Sequence, residues 1–313
     1  FTSGIFRSWY SMGDVETASL LAVLLFFIVV FFFSIERYLN ARYKFNYSPN
    51  TKKFKNESPS FKNRIIIHLV CLIPIILGFL IPVLFIINNV IYEFSRIDFE
   101  KVFNLTTNTV IISLISSLII VIIAVYFQFL KRIFKNRTIT FFNELISLTY
   151  ALPGAVIGLS LIFLFTSYPF ESELLIGSFG ILVYAYVIRY MAVGISPLKS
   201  SFDKHPSSYD DTAFNLGMGP RKLFRSIHLP INKSAIAIAF LITFVDIIKE
   251  LPITLILRPF NFDTLAVQTY EYAIEEMIPK SSIYSLAIVM LGTILLIFLK
   301  KIVNKEIDVP RSK

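Results

Sequence analysis

Three ionisable residues, Asp246, Lys249 and Glu250, stand inside an otherwise apolar stretch, Ser234–Leu257. At i, i+3 and i+4 of one helix they share a face. A charge at the centre of a bilayer costs about 2.5–3.5 kcal/mol even on lenient insertion scales, so a lipid-facing position is disfavoured. Two uses remain open: a pathway or gate that meets polar cargo, and an internal ion pair that pins helices together. Pro252 follows and predicts a helix break, which a water-lined region tolerates. Glu144, in another apolar stretch, is a further candidate partner for Lys249.

Other chemistries lack their residues. No G-x-x-x-x-G-K-[ST] loop is present, so the chain does not hold ATP by that device. No nucleophile–base constellation stands out. His68, His205 and His228 are scattered without metal-ligand spacing, and the single Cys71 excludes a disulfide framework or a cysteine metal site. His68 reads as a packed polar side chain. We therefore expect no metal and no cofactor in this chain.

The elements that must position these residues are membrane spans. Mean hydropathy is +0.69, with 55% hydrophobic and 16% charged residues. The apolar residues come in blocks near Ala18–Ile35, Ile65–Ile91, Val110–Leu130, Phe142–Phe165, Leu174–Val193, Ser234–Leu257 and Ser282–Val303. A bilayer core needs about 20 apolar residues per helix, and these blocks exceed the length of a barrel strand. The fold class predicted is all-α, a polytopic membrane protein of about seven transmembrane helices. Tyr150, Pro153, Gly154 and Gly158 in the fourth block read as helix packing.

Loop charge sets the orientation. Arg37 through Arg64, Lys131 through Arg137, Lys199 through Lys233 and the tail from Lys300 are basic; Glu93–Glu100, Glu171–Glu173 and Asp263–Glu276 are acidic. The two kinds alternate along the chain. The positive-inside rule places the N-terminus outside and the C-terminus in the cytoplasm. It also accounts for the net charge of +9, with no need for a nucleic-acid partner.

The longest structured loop predicted is 195–233. Pro206, Ser207 and Ser208 before Asp210 and Asp211 read as a helix start, with a serine cap and acids in the first turn. Gly217 suits a left-handed helix end. Gly219 and Pro220 start a second helix, on which Leu223, Phe224 and Ile227 share a face. Pro230 is expected to stop it. The pattern fits either a loop tucked against the membrane or a docking element for a cytoplasmic partner.

The stretch Asp211–Pro230, DTAFNLGMGPRKLFRSIHLP, resembles the cytoplasmic signature of permeases of binding-protein-dependent, type I ABC importers. Asp211, Ala213, Gly217, Ile227, Leu229 and Pro230 match at the family spacing. Asp211 stands where Glu is usual and Thr212 where Ala is usual. The resemblance implies the type I importer permease fold. It also implies that this loop seats in a cleft of an ABC ATPase dimer, where ATP and magnesium are bound. A periplasmic substrate-binding protein, a second permease half and membrane lipid are the other implied partners, in a bacterial inner (cytoplasmic) membrane. The chain itself is then a transport subunit and not an enzyme.

A finer resemblance is carried by Lys249–Pro252 and Leu257–Ala266, which look like the ferric iron permeases, often two fused halves. Residues 1–40 then read as the last transmembrane helix of a preceding half. Residues 41–64 read as a cytoplasmic linker, 65–307 as a six-helix permease domain and 308–313 as a tail. Ferric iron is the implied cargo; thiamine, phosphonate and polyamine are the alternatives within the family. From another class, an ion-coupled secondary transporter would need midplane ion ligands and no docking loop.

Overall fold

A computed structural model describes residues 4–5, 7–42, 60–134, 136–167 and 177–307. The expected linker over 43–59, the acidic turn at Glu171 and Glu173, and the tail 308–313 lie outside the described residues. All regular structure among the described residues is helical.

The first half of the chain carries α1 (Val15–Arg42), α2 (Phe61–Ile75), α3 (Ile81–Glu93), α4 (Phe99–Phe134), α5 (Arg137–Thr149) and α6 (Gly154–Ser167). The second carries α7 (Phe179–Lys204), α8 (Ser208–Asn215), α9 (Pro220–Leu223), α10 (Leu229–Ile231), α11 (Lys233–Ile248), α12 (Pro252–Leu257), α13 (Leu265–Ile274) and α14 (Ile278–Ile307). A π-helical turn, Ile76–Leu80, joins α2 to α3 without ending the rod, so Phe61–Arg96 reads as one apolar span.

Among the described residues five helices are long and apolar enough to cross a membrane, or up to six if one bent pair counts as a span. Two expected spans are not single helices. The fourth, Phe142–Phe165, breaks at Tyr150–Pro153 into α5 and α6. The sixth, Ser234–Leu257, breaks at Lys249–Leu251 into α11 and the six-residue α12. Each break has a proline at its end, Pro153 as the last residue of the first and Pro252 just after the second. Proline lacks an N–H, and it disfavours helical backbone in the residue before it. Apolar residues resume directly after both breaks, which is why the blocks look continuous in sequence.

The core is built by α4, α7 and α11, with α6 and α12 laid across them. The buried face of α4 carries a run of small residues up to its middle: Thr109, Ser113, Ser116 and Ser117, with Ala124 further on, among larger ones such as Ile112 and Ile120. Small residues let helices approach closely in a membrane, where packing replaces the hydrophobic drive. Gly194 of α7 shows how close: a Cβ there would lie 2.6 Å from Ile120 Cγ2. Gly158 of α6 meets Ile256 of α12 in the same way, at 3.0 Å, as a packing role predicts. Two smaller clusters close the ends. Phe129, Phe202, Ala213 and Leu223 sit under the α8–α10 loop. Leu105, Leu265, Tyr284 and Ala287 join α4, α13 and α14. α1 lies against α6, with Ala18 and Ala22 buried.

Candidate functional site

The α8–α10 loop is two helical arms around a left-handed glycine. Gly217 has φ +75°. Met218 N–H donates to Ala213 O and Gly217 N–H to Phe214 O, both at 2.9 Å. These two bonds close the end of α8 as a Schellman motif, with Met218 packed in the cluster that buries Ala213. Gly219 then caps α9 and Pro220 takes its first position. Leu223 is fully buried, with Phe224 and Ile227 packed beside it.

Two local expectations fail. Ser207 makes no side-chain cap; the first turn of α8 is held by its acid instead. Pro230 does not end the second arm. The backbone widens to a π-helical turn over Phe224–His228, and Leu229 N–H donates to Phe224 O. That widening gives the proline ring room and removes the need for its missing N–H. The chain turns two residues later, at Asn232, and α11 leaves at 71° to the arm.

Signature residues split between the two sides of the loop. Ala213 is buried; Ile227 and Leu229 are half-buried. Asp211, Thr212, Gly217 and Pro230 are exposed, together with Tyr209, Phe214 and Leu216. A rim of aromatic and aliphatic side chains around an exposed acid is a surface suited to a protein partner.

Behind that rim lies a polar tie. Asp210, not Asp211, is the buried acid. Arg132, near the end of α4, donates from Nε to Asp210 Oδ2 at 2.6 Å. Its Nη1 donates to the carbonyls of Phe202 (2.6 Å) and His205 (3.0 Å), and its Nη2 to that of Pro206 (2.7 Å). His228 Nε2 lies 2.8 Å from Asp210 Oδ1. A carboxylate only accepts, so Nε2 carries the proton. The ring of His228 stacks on Phe202 and touches Phe129. Burial holds its imidazole below the ordinary value, against the opposing pull of Asp210. A cavity of about 320 Å³ opens beside this tie, lined in part by Lys131, Arg132, Asp203 and Asp211.

The intramembrane charges are paired otherwise than the shared-face reading expects. α11 ends at Ile248, so Glu250 turns away from the face of Asp246. Lys249 pairs with Asp246 at 2.9 Å, and its side chain is 62% exposed. Asp246 borders a cleft of about 480 Å³ that Tyr150, Ser196 and Ile242 also line. Glu250, 4% exposed, pairs with Arg189 of α7, Nε to Oε2, at 3.5 Å. Tyr190 O–H donates to the same Oε2, and Ile253 N–H donates to Oε1 at 3.1 Å, so Glu250 also holds the first turn of α12. Arg189 Nη1 donates to Leu152 O, at the break between α5 and α6. Gly154 makes room: a Cβ there would lie 2.5 Å from Arg189 Nη1 and 2.8 Å from Glu250 Oε1. One ion pair thus bridges both broken helices, with Pro252 opening α12 next to it.

At the opposite end, Arg258 binds Asp263 and, at 2.8 Å, Glu271. Asn108 donates to Asp263 O and Thr109 accepts from Leu265 N–H, tying this turn to α4. His68 is exposed and directs Nδ1 to Arg64 O at 2.6 Å, so it is not the packed side chain expected. No group of three or more His, Cys, Asp or Glu could hold a metal ion among the described residues.

Arg189, Arg132, Asp210 and His228 were not singled out as site residues by the sequence reading. Arg189 had a signal, being the one base in the apolar stretch Leu174–Val193. Arg132 lies near the end of α4 in a basic run, and Asp210 and His228 lie in the loop, where charge is ordinary; only the fold brings the three together.

Residues 129–309 match the family described as binding-protein-dependent transport system inner membrane component. Over 306 residues the chain is 25% identical to the Fe(3+)-transport system permease protein FbpB 2 of Haemophilus influenzae, across 96% of this chain and 60% of that protein. It is 23% identical over 255 residues to the putative ferric transport system permease protein FbpB 1 of the same organism, across 75% of this chain and 39% of that protein. The maltose/maltodextrin transport system permease protein MalG of Escherichia coli is 32% identical over 94 residues, 30% of this chain and 31% of that protein. The chain thus spans 60% or less of the length of these relatives. With a matched region that takes in the whole α8–α10 loop and both broken-helix partners of Arg189, the chain belongs to the binding-protein-dependent transport system inner membrane components, the permeases of type I ABC importers.

Proposed function

We propose that this chain is a membrane-spanning part of an ATP-driven importer that carries ferric iron from the periplasm to the cytoplasm. The likeness to FbpB 2 over 96% of the chain carries the reading. In this reading the α8–α10 loop faces the cytoplasm and seats on an ABC ATPase dimer, which binds ATP and magnesium. Asp211, Thr212, Gly217 and Pro230 lie at the contact; Ala213, Ile227 and Leu229 hold the two arms together behind it. A periplasmic binding protein delivers cargo to the opposite end, and a second permease half completes the pathway. Asp246, Lys249, Glu250 and Pro252 line the pathway or its gate: the Asp246–Lys249 pair beside the cleft, with the exposed ammonium of Lys249, meets cargo, and the buried Glu250 pair sets where α11 and α12 bend. The N-terminal end of α1 lies outside.

Co-purification tests the docking. The chain, expressed with its ATPase and solubilised in detergent, should bring the ATPase down. Phe214→Asp with Leu216→Asp should abolish the association while leaving the elution volume of the free chain unchanged. Undiminished capture by that double variant would contradict the assignment of this surface.

A further inference from the structure

We infer that Arg132, Asp210 and His228 form a positioning lock that makes the α8–α10 loop move as one piece with α4, α7 and α11. The inference rests on the importer reading above, and it concerns residues outside the docking surface itself.

The geometry starts from what a helix end leaves undone. The last carbonyls of α7 have no intrahelical donors. Arg132 supplies donors to three carbonyls at that end, Phe202, His205 and Pro206, from two nitrogens of one planar fork. Its third nitrogen binds Asp210 in the first turn of α8. One side chain of α4 thereby caps α7 and anchors the first arm of the loop. Lysine could not do this, since its ammonium is a single point of charge without the fixed fork.

Asp210 then passes the tie to the second arm. Its other oxygen accepts from His228, whose ring is clamped by Phe129 of α4 and Phe202 of α7. The second arm is held again at its end. Asn232 Nδ2 donates to His228 O at 2.8 Å, and its Oδ1 accepts from Ser201 of α7 at 2.7 Å. α11 begins at the next residue. Every element that enters or leaves the loop thus meets one connected polar network, closed over by the Phe129, Phe202, Ala213 and Leu223 cluster. A push on the exposed rim therefore cannot be absorbed by hinging at α8 without breaking several charge-assisted bonds together. It must be handed on to the membrane helices.

The test uses the reconstituted complex of the full chain with its ATPase, second half and binding protein. Spin labels at Lys131 and Asn215 read the separation between the end of α4 and the tip of α8. In the wild-type complex that distance should stay single and unchanged between the nucleotide-free and ATP-trapped states; in Arg132→Ala it should broaden or shift on ATP binding. The second readout is substrate transported per ATP hydrolysed, normalised to assembled complex. Arg132→Ala and Asp210→Ala should lower that ratio at least about tenfold. Asp210→Asn keeps one acceptor for Arg132 but turns an N–H2 toward the Nε2–H of His228, so its ratio should fall between those of wild type and Asp210→Ala. A residue needed only for folding would lower the amount of complex and leave the ratio alone. A wild-type label distance that changes with nucleotide, or a wild-type ratio in Arg132→Ala, overturns the inference. A complex in which no ATPase binds would instead defeat the importer reading on which it rests.

Discussion

The two acid–base pairs near the α11–α12 break should respond very differently to the loss of one partner. Lys249 is largely exposed while Asp246 is 15% exposed, so solvent at the ammonium screens the pair and it contributes about 1 kcal/mol. Glu250 is buried against a buried Arg189. Removing one partner of a buried pair costs about 3–5 kcal/mol, because the other charge is left uncompensated. Glu250→Ala also strands Tyr190 O–H and Ile253 N–H. The variant should therefore lose about 3 kcal/mol more than Lys249→Ala, a difference of more than a hundredfold in the folded-to-unfolded ratio. Detergent-solubilised protein, heated in steps and passed over a sizing column, reads this as a lower midpoint for Glu250→Ala alone. Removing both charges, as Arg189→Leu with Glu250→Leu, should restore most of the loss. Uptake per assembled complex then separates the two uses of the pair: low uptake by the restored double variant supports a gate, and full uptake leaves a structural pin. Equal midpoints for Glu250→Ala and Lys249→Ala would show that burial of the Arg189–Glu250 pair does not set the cost.

Gly217→Val should uncouple ATP hydrolysis from transport. No atom lies within 4 Å of the missing Cβ, so the penalty is that of the left-handed backbone, about 1–2 kcal/mol, and Gly217→Asn should be milder; equal transport per ATP by Val and wild type would count against it. His228 has a folded-state value below its ordinary one, so the unfolded chain binds more protons as pH falls. The seat of the loop should weaken below about pH 6.5 and be flat above it, read as a melting midpoint at pH 5.5 against 7.5; a His228→Gln variant with the same drop as wild type would contradict this. An impermeant reagent applied to intact cells should label a tag placed between Glu271 and Glu276 and miss one placed between Thr51 and Glu57; the reverse pattern would invert the topology.

Much of the architecture was legible because a span of lipid demands long apolar runs, and α1, α2–α3, α4, α7 and α14 are such runs. The breaks at Tyr150–Pro153 and Lys249–Leu251 were not, because apolar residues resume directly after each; the prolines were the signal, and Pro252 was read one turn late. That delay put Asp246, Lys249 and Glu250 on one helix face, whereas the backbone separates Glu250 from the other two. Gly217 was legible because few other residues hold a left-handed helix end. Pro230 misled, since a π-helical turn can carry a proline that an α-helical one cannot. The choice between Asp210 and Asp211 was not open to sequence: adjacent acids on a short helix differ only in which one the fold turns inward.

Uptake of radiolabelled ferric iron by sealed vesicles decides whether this chain serves iron import. The vesicles would hold this chain within its complete permease together with the ATPase, and be supplied with iron-loaded binding protein outside and ATP inside. ATP-dependent accumulation is expected, stopping without the binding protein and falling sharply in Gly217→Val. Accumulation of another cargo class with none of iron, or iron uptake that persists without ATP, would contradict it.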